Sequence, residues 1–114
     1  MTECRVKVLH NTNRFAMLHG YGLDDMLELV DEYNVTTDLS GPAVYARVAE
    51  IVFREHNAVD GSERNVKLKL RSLSVGDVLE ITPADGPTRA YACAPLGWKE
   101  LESGATGVKR WDSV

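Results

Sequence analysis

"MLELVDEYNV", residues 26–35, decides what kind of fold this chain makes. Met26, Leu29, Val30 and Tyr33 fall at i, i+3, i+4 and i+7, the spacing of a helical stripe. Leu29, Tyr33 and Val35 equally share one face of a strand, with Asp31 as the misfit. The end of the stretch, "YNVTT", tips the reading to a strand, because aromatic and β-branched side chains suit a pleated surface. One substantial helix then remains in the chain, and strands are what it must cover.

That helix lies in "SGPAVYARVAEIVFREHN", residues 40–57. Ser40 is read as the capping residue, with Pro42 tolerated in the first turn. Val44, Val48, Ile51 and Val52 fall on one side, with Tyr45, Ala49 and Phe53 beside them. Glu50 and Arg54, four apart, have the favourable order for an outer ion pair. Arg54 and His56 put positive charge at the helix C-terminus, and Asn57 is expected to stop the helix in the left-handed conformation.

Strands surround it. "CRVKVL", 4–9, alternates Cys4, Val6 and Val8 against Arg5 and Lys7, as a half-buried strand does. "RFAML", 14–18, is expected to be a second short strand, followed by a turn at Gly20 and Gly22. "VKLKL", 66–70, alternates after the polar loop 58–65. In "RSLSVGDVLEI", 71–81, Gly76 and Asp77 turn the chain into the strand "VLEIT". "PADGPT", 83–88, reads as a hairpin connection to "RAYACA", 89–94, and "PLGWKEL" continues that strand past Pro95 and Gly97 through a bulge. The expected architecture is α+β. An antiparallel sheet of four to six strands in β-β-β-α-β-β order carries one main amphipathic helix on one face. Residues 1–102 form the single domain and 103–114 a flexible C-terminal tail.

Composition sets bounds on function. The chain has 114 residues, enough for one domain with its own core and no need of a disulfide or metal. Its net charge of −4 weighs against broad nucleic-acid binding, which needs a basic face. Charge is nevertheless segregated. Glu3, Asp24, Asp25, Glu28, Asp31, Glu32 and Asp38 crowd the N-terminal part, whereas Arg64, Lys67, Lys69 and Arg71 form a basic segment without an acid. Cys4 and Cys93 stand far apart in strand-like contexts and read as small buried thiols in a reducing, cytoplasmic setting. No apolar run approaches the ~18 residues of a membrane span, and no signal core opens the chain.

The segments "RSLSVGDVLEI" and "RAYACAPLGWKEL" carry a resemblance. They resemble the C-terminal half of the YodL-like domain family. They are closer still to a group of uncharacterised actinobacterial proteins, in which a "SLSVGD" turn precedes an aromatic-Ala-Cys-Ala-x-x-Gly-Trp strand. "NTNRFAMLHGY" and the helix ending "FREHN" fall where those proteins have similar pieces, so the resemblance spans most of residues 10–101. It implies an accessory protein of mobile elements such as phages and plasmids, or of their hosts, and it implies no particular chemistry.

The chemistry-bearing residues are weighed one by one. Ser72, Ser74, Gly76 and Asp77 have the makings of an anion loop, but no helix follows to supply the usual phosphate cradle. The structural reading is stronger: Gly76 allows the turn, Asp77 bonds a nearby amide, and Leu73 and Val75 enter the core. His10 and His19 flank the first hairpin, and His56 reads as a helix-end charge. None of the three has metal-ligand spacing. No nucleophile has a recognisable partner. The expectation is therefore a non-catalytic protein without cofactor or metal, acting by binding a macromolecule, foremost a protein. Its candidate interaction surface comprises Arg64, Lys67, Lys69, Arg71, Arg89, Tyr91 and Trp98. The alternative is nucleic-acid binding through the basic 64–71 segment and the sheet aromatics, since "LSVGD" before a strand also resembles small RNA-binding barrels of the ASCH and PUA types. A homo-oligomer is compatible with both.

Overall fold

The computed structural model describes residues 1–13, 15–22, 25–57, 71, 73–101 and 109–110. Its elements are β1 (Thr2–Asn11), α1 (Ala16–His19), β2 (Met26–Thr37), α2 (Ala43–His56), β3 (Val78–Pro83), β4 (Arg89–Ala94), β5 (Gly97–Glu100) and β6 (Lys109–Arg110). The sheet runs β5-β4-β3-β1-β2-β6. Strands β1 to β5 pair antiparallel, and the two-residue β6 pairs parallel with Met26 and Leu27. The α+β reading holds, with α2 packed across one face.

Residues 26–35 are a strand, and one irregularity explains why they look helical. Leu29 sits opposite Leu9, but the next partner of Val8 is Asp31, so Val30 is an extra residue in β2. The bulge shifts the side-chain period by one. Leu27 and Leu29 consequently pack with Leu9, Val78, Ala90 and Ala92 on the face away from α2. Tyr33 and Val35 pack under the helix instead. Apolar residues spaced by two, then one, then three imitate a helical stripe.

On the helix face, Val44, Val48 and Val52 lie fully buried against Cys4, Val6, Val8, Leu79 and Ile81. Burying each such valine is worth about 2 kcal/mol, which is what fixes α2 across β1 and β3. Phe53, expected beside this stripe, instead leans outward and is exposed.

Several local expectations are corrected. Residues 14–18 do not form a strand: Ala16–His19 is one helical turn. Asn13 explains the change, because its side chain accepts the Phe15 N–H at 3.0 Å while its carbonyl accepts the Ala16 N–H at 3.0 Å. Ser40 does not cap α2. Pro42 is its first flanking residue, without a side-chain cap, and the Gly41 carbonyl takes the Val44 N–H at 3.1 Å. Asn57 ends the helix at φ −137°, outside the left-handed region. Its side chain instead clamps the backbone of Leu73, accepting that N–H at 2.6 Å and donating to the carbonyl at 3.1 Å. Glu50 meets Arg47 at 3.4 Å in place of Arg54. Strand β4 does not run on through a bulge past Pro95. The chain reverses at Pro95–Leu96, with Ala94 opposite Gly97 at φ +92°, and β5 returns beside β4. The 66–70 strand and most of the tail lie outside the described residues.

Candidate functional site

Two groups of side chains stand out, and they differ in kind. The first is buried, where the end of β1 meets the Gly76–Asp77 corner. Asp77 is fully buried. Its Oδ1 accepts the Asn11 backbone N–H at 2.8 Å and an Arg71 N–H at 2.8 Å. Its Oδ2 accepts the Ser74 backbone N–H at 2.9 Å and a second Arg71 N–H at 2.7 Å. Four donors thus occupy the carboxylate and fill its usual acceptor positions. The bidentate Arg71 neutralises the charge that burial would otherwise penalise. The Asn11 side chain ties the corner further by donating to the Gly76 carbonyl at 3.0 Å and to Asp25 at 2.9 Å. Hydrogen bonds from its neighbours hold the Asp25 carboxyl below its usual range, against burial, which is the largest influence and acts upward.

Gly76 is required at this corner for two reasons. Its φ is +97°, and a Cβ there would come within 2.5 Å of the Ala16 Cβ. The short helix α1 thus seats against the bare Gly76 backbone. Leu73 enters the core as expected, whereas Val75 stays half-buried.

The adjoining histidines depart from the sequence reading. His56 is no solvent-facing helix-end charge. It is fully buried, and its Nε2 lies 3.1 Å from Asp31 Oδ2. Asp31, the misfit of the opening stretch, is thereby explained as a buried partner delivered to the helix face by the bulge at Val30. A signal was available: Val48, Val52 and His56 are each four apart, which puts His56 on the inner face of α2. His10 is buried too, and its Nε2 has no hydrogen-bond partner among the described residues. Burial is the main reason its pKa falls to about 4 from 6.5, with Arg71 and His56 adding to the drop and Asp77 opposing it. His10 is therefore neutral at pH 7. His19 is exposed on α1, away from the buried set. Cys4 and Cys93 are buried free thiols, and burial raises the pKa of both, which makes them poor nucleophiles. Among the described residues, no group of three or more His, Cys, Asp and Glu is placed to hold a metal ion.

The second group is a half-open ridge where α2 passes over β4 and β5. It gathers three candidate residues, Arg89, Tyr91 and Trp98. Register places them on the helix face: Arg89 opposite Ile81, Tyr91 between Leu79 and Glu100, and Trp98 opposite Cys93. Helix α2 adds Tyr45 and Phe53. Arg89 lies over the Tyr45 ring at 4.5 Å, and Tyr45 tilts against Tyr91 at 6.1 Å between centroids. Phe53 meets Trp98 edge to face, also at 6.1 Å. The Tyr45 hydroxyl donates to the Pro87 carbonyl. Burial leads the upward shift of both tyrosine pKa values, so both are neutral donors at pH 7.

The remaining candidates divide. Arg71 belongs to the buried corner, its guanidinium engaged by Asp77. Arg64, Lys67 and Lys69 lie outside the described residues, as do Ser72 and Asp24. No family model, curated protein or solved structure matches the chain. Among the described residues, no helix is long and apolar enough to cross a membrane.

Proposed function

We propose that this is a non-catalytic accessory protein that binds another protein through the ridge of Arg89, Tyr91 and Trp98, extended by Phe53 and backed from beneath by the buried Tyr45. The supporting observation is the ridge's make-up. Arginine, tyrosine and tryptophan are the residues that dominate protein interfaces, and here they are pre-ordered by ring contacts while remaining partly open to solvent. The buried polar group supports the same reading from the other side, because Asp77 has its acceptors filled and His56 and Asp31 face each other inside the core. A reducing, cytoplasmic setting accords with two free cysteines. The role within a mobile element or its host rests on the resemblance carried by "SLSVGD" and "YACAPLGW".

The test is affinity capture from host and phage- or plasmid-bearing lysates, with the captured protein purified and titrated. Arg89→Ala and Trp98→Ala are each expected to weaken its binding about tenfold or more, while Lys7→Ala on the other face does not. A partner that binds all these variants equally, or no partner at all, overturns the reading. Nucleic-acid binding is the weaker reading, because the one described residue of the basic segment, Arg71, is already bound to Asp77.

A further inference from the structure

We infer that His10 is the pin of an acid-operated latch: on taking up a proton it parts the end of β1 from the Gly76–Asp77 corner, and α1 goes with it, while α2 stays on the sheet.

Placement makes His10 the pin. In the antiparallel register of β1 with β3, Leu9 stands opposite Val78, so His10 comes opposite Asp77. Alternation along β1 sends His10 to the face of Cys4, Val6 and Val8, which α2 covers. The residue is 7% exposed, and its Nε2 has no hydrogen-bond partner among the described residues. The charged and titratable groups around it are Glu28 and Asp31 from β2, His56 from α2, Asp77 and Arg71 from the corner, and Cys93 from β4. Of the carboxylates, Asp31 is engaged by His56 at 3.1 Å, Asp77 has four donors on it, and Glu28 is exposed.

A neutral imidazole suits such a site. An imidazolium carries an N–H on both ring nitrogens and a charge, and the Arg71 cation already holds the nearest buried carboxylate. Protonated His10 therefore draws Asp77 from its donors or leaves for solvent. Either way the bond from the Asn11 N–H to Asp77 Oδ1 breaks, because Asn11 is the next residue along β1. The same corner seats α1. Ala16 rests on the bare Gly76 backbone, and the Asn11 side chain ties the Gly76 carbonyl to Asp25. Helix α2 is held separately, by Val44, Val48 and Val52 against Val6, Val8, Leu79 and Ile81, none of which titrates. Burial lowers the His10 pKa to about 4, and opening returns it to 6.5, so the open corner gains population roughly fiftyfold between pH 7 and about pH 4.5.

Native-state hydrogen exchange on the full chain, with the His10 ring followed by NMR through the same titration, tests this. At about pH 4.5 the Asn11 and Ser74 amides are expected to exchange through an opening that small additions of urea leave unchanged. The Val48 and Val52 amides are expected to exchange only through global unfolding, which urea accelerates steeply. His10→Gln has no ring to protonate and is expected to hold the acid-driven rise in corner opening to within about threefold, against roughly fiftyfold in the native chain. A native His10 ring that titrates near 6.5 overturns the inference. So do corner amides that share the urea slope of the helix amides at every pH, and so does a His10→Gln chain that keeps the full rise. The first two of these are read on the native chain, so they decide the matter even where the variant fails to fold.

Discussion

One residue joins the two regions that matter. The Cys93 N–H donates to the Asp77 carbonyl at 2.8 Å, its own carbonyl takes the Gly76 N–H at 2.9 Å, and across the strand it sits opposite Trp98. The two sides of this cysteine use polarity in opposite ways. Toward Asp77, every acceptor of a buried carboxylate is filled and arginine neutralises the charge. Toward Trp98, aromatic faces and an arginine are ordered but left partly uncovered. The segment that most resembles a ligand loop is a clamp, and the plainer strand beside it carries the proposed binding surface. Satisfied hydrogen-bond capacity, more than residue type, is what sets the clamp apart from that proposed surface.

The contrast predicts a descending series of effects. Asp77→Ala should be the most damaging change, costing about 3 kcal/mol or more in urea unfolding, because it unpairs the buried Asn11 N–H and the half-buried Ser74 N–H at once and releases the half-exposed Arg71 from the corner. A loss under about 1 kcal/mol would mean the corner is not a clamp. Acid should act next, through His10. Its pKa is lowered in the fold, so below pH 6.5 the unfolded chain takes up a proton that the folded chain refuses. Stability from this group is complete above pH 6.5, is lost as pH falls toward about 4, and changes no further below that. The loss over this window is roughly 3 kcal/mol at most. His10→Gln should flatten the decline in the urea midpoint between pH 7 and 4, and an unaltered slope would place the acid sensitivity elsewhere.

Much of this was legible in the sequence, and the failures have physical causes. The alternation of Cys4, Val6 and Val8 and the stripe of Val44, Val48 and Val52 directly report one helix over a sheet. Residues 26–35 were ambiguous because a bulge breaks a period of two without leaving a glycine or proline to mark it. Residues 14–18 were misread because asparagine side chains, which carry no periodicity, decide that turn. Of the site, Gly76, Asp77, Arg89, Tyr91 and Trp98 were visible as residue types. What could not be read was pairing that no periodicity marks: Arg71 with Asp77, six residues apart across the turn, and Asp31 with His56, which are 25 residues apart. The meeting of Asp31 and His56 depends on register, and register depends on the bulge.

The smaller effects test where the boundary between the two regions falls. Gly76→Ala is expected to cost about 2 kcal/mol, from the strained φ and from pushing α1 off the corner. Ala16→Gly in the same chain should return part of that loss by removing the Cβ it would strike, at the expense of a weaker helical turn. Trp98→Ala should cost only about 1 kcal/mol, since the indole is half-buried at a sheet border. It should nonetheless weaken partner binding about tenfold or more. This separation of stability from binding is the sharpest expectation of the contrast. If Trp98→Ala unfolds the chain as severely as Asp77→Ala, the indole belongs to the core and the ridge is one more buttress. If it leaves the fold alone and removes partner binding, then the chain has put its structural demand on one side of Cys93 and its recognition on the other.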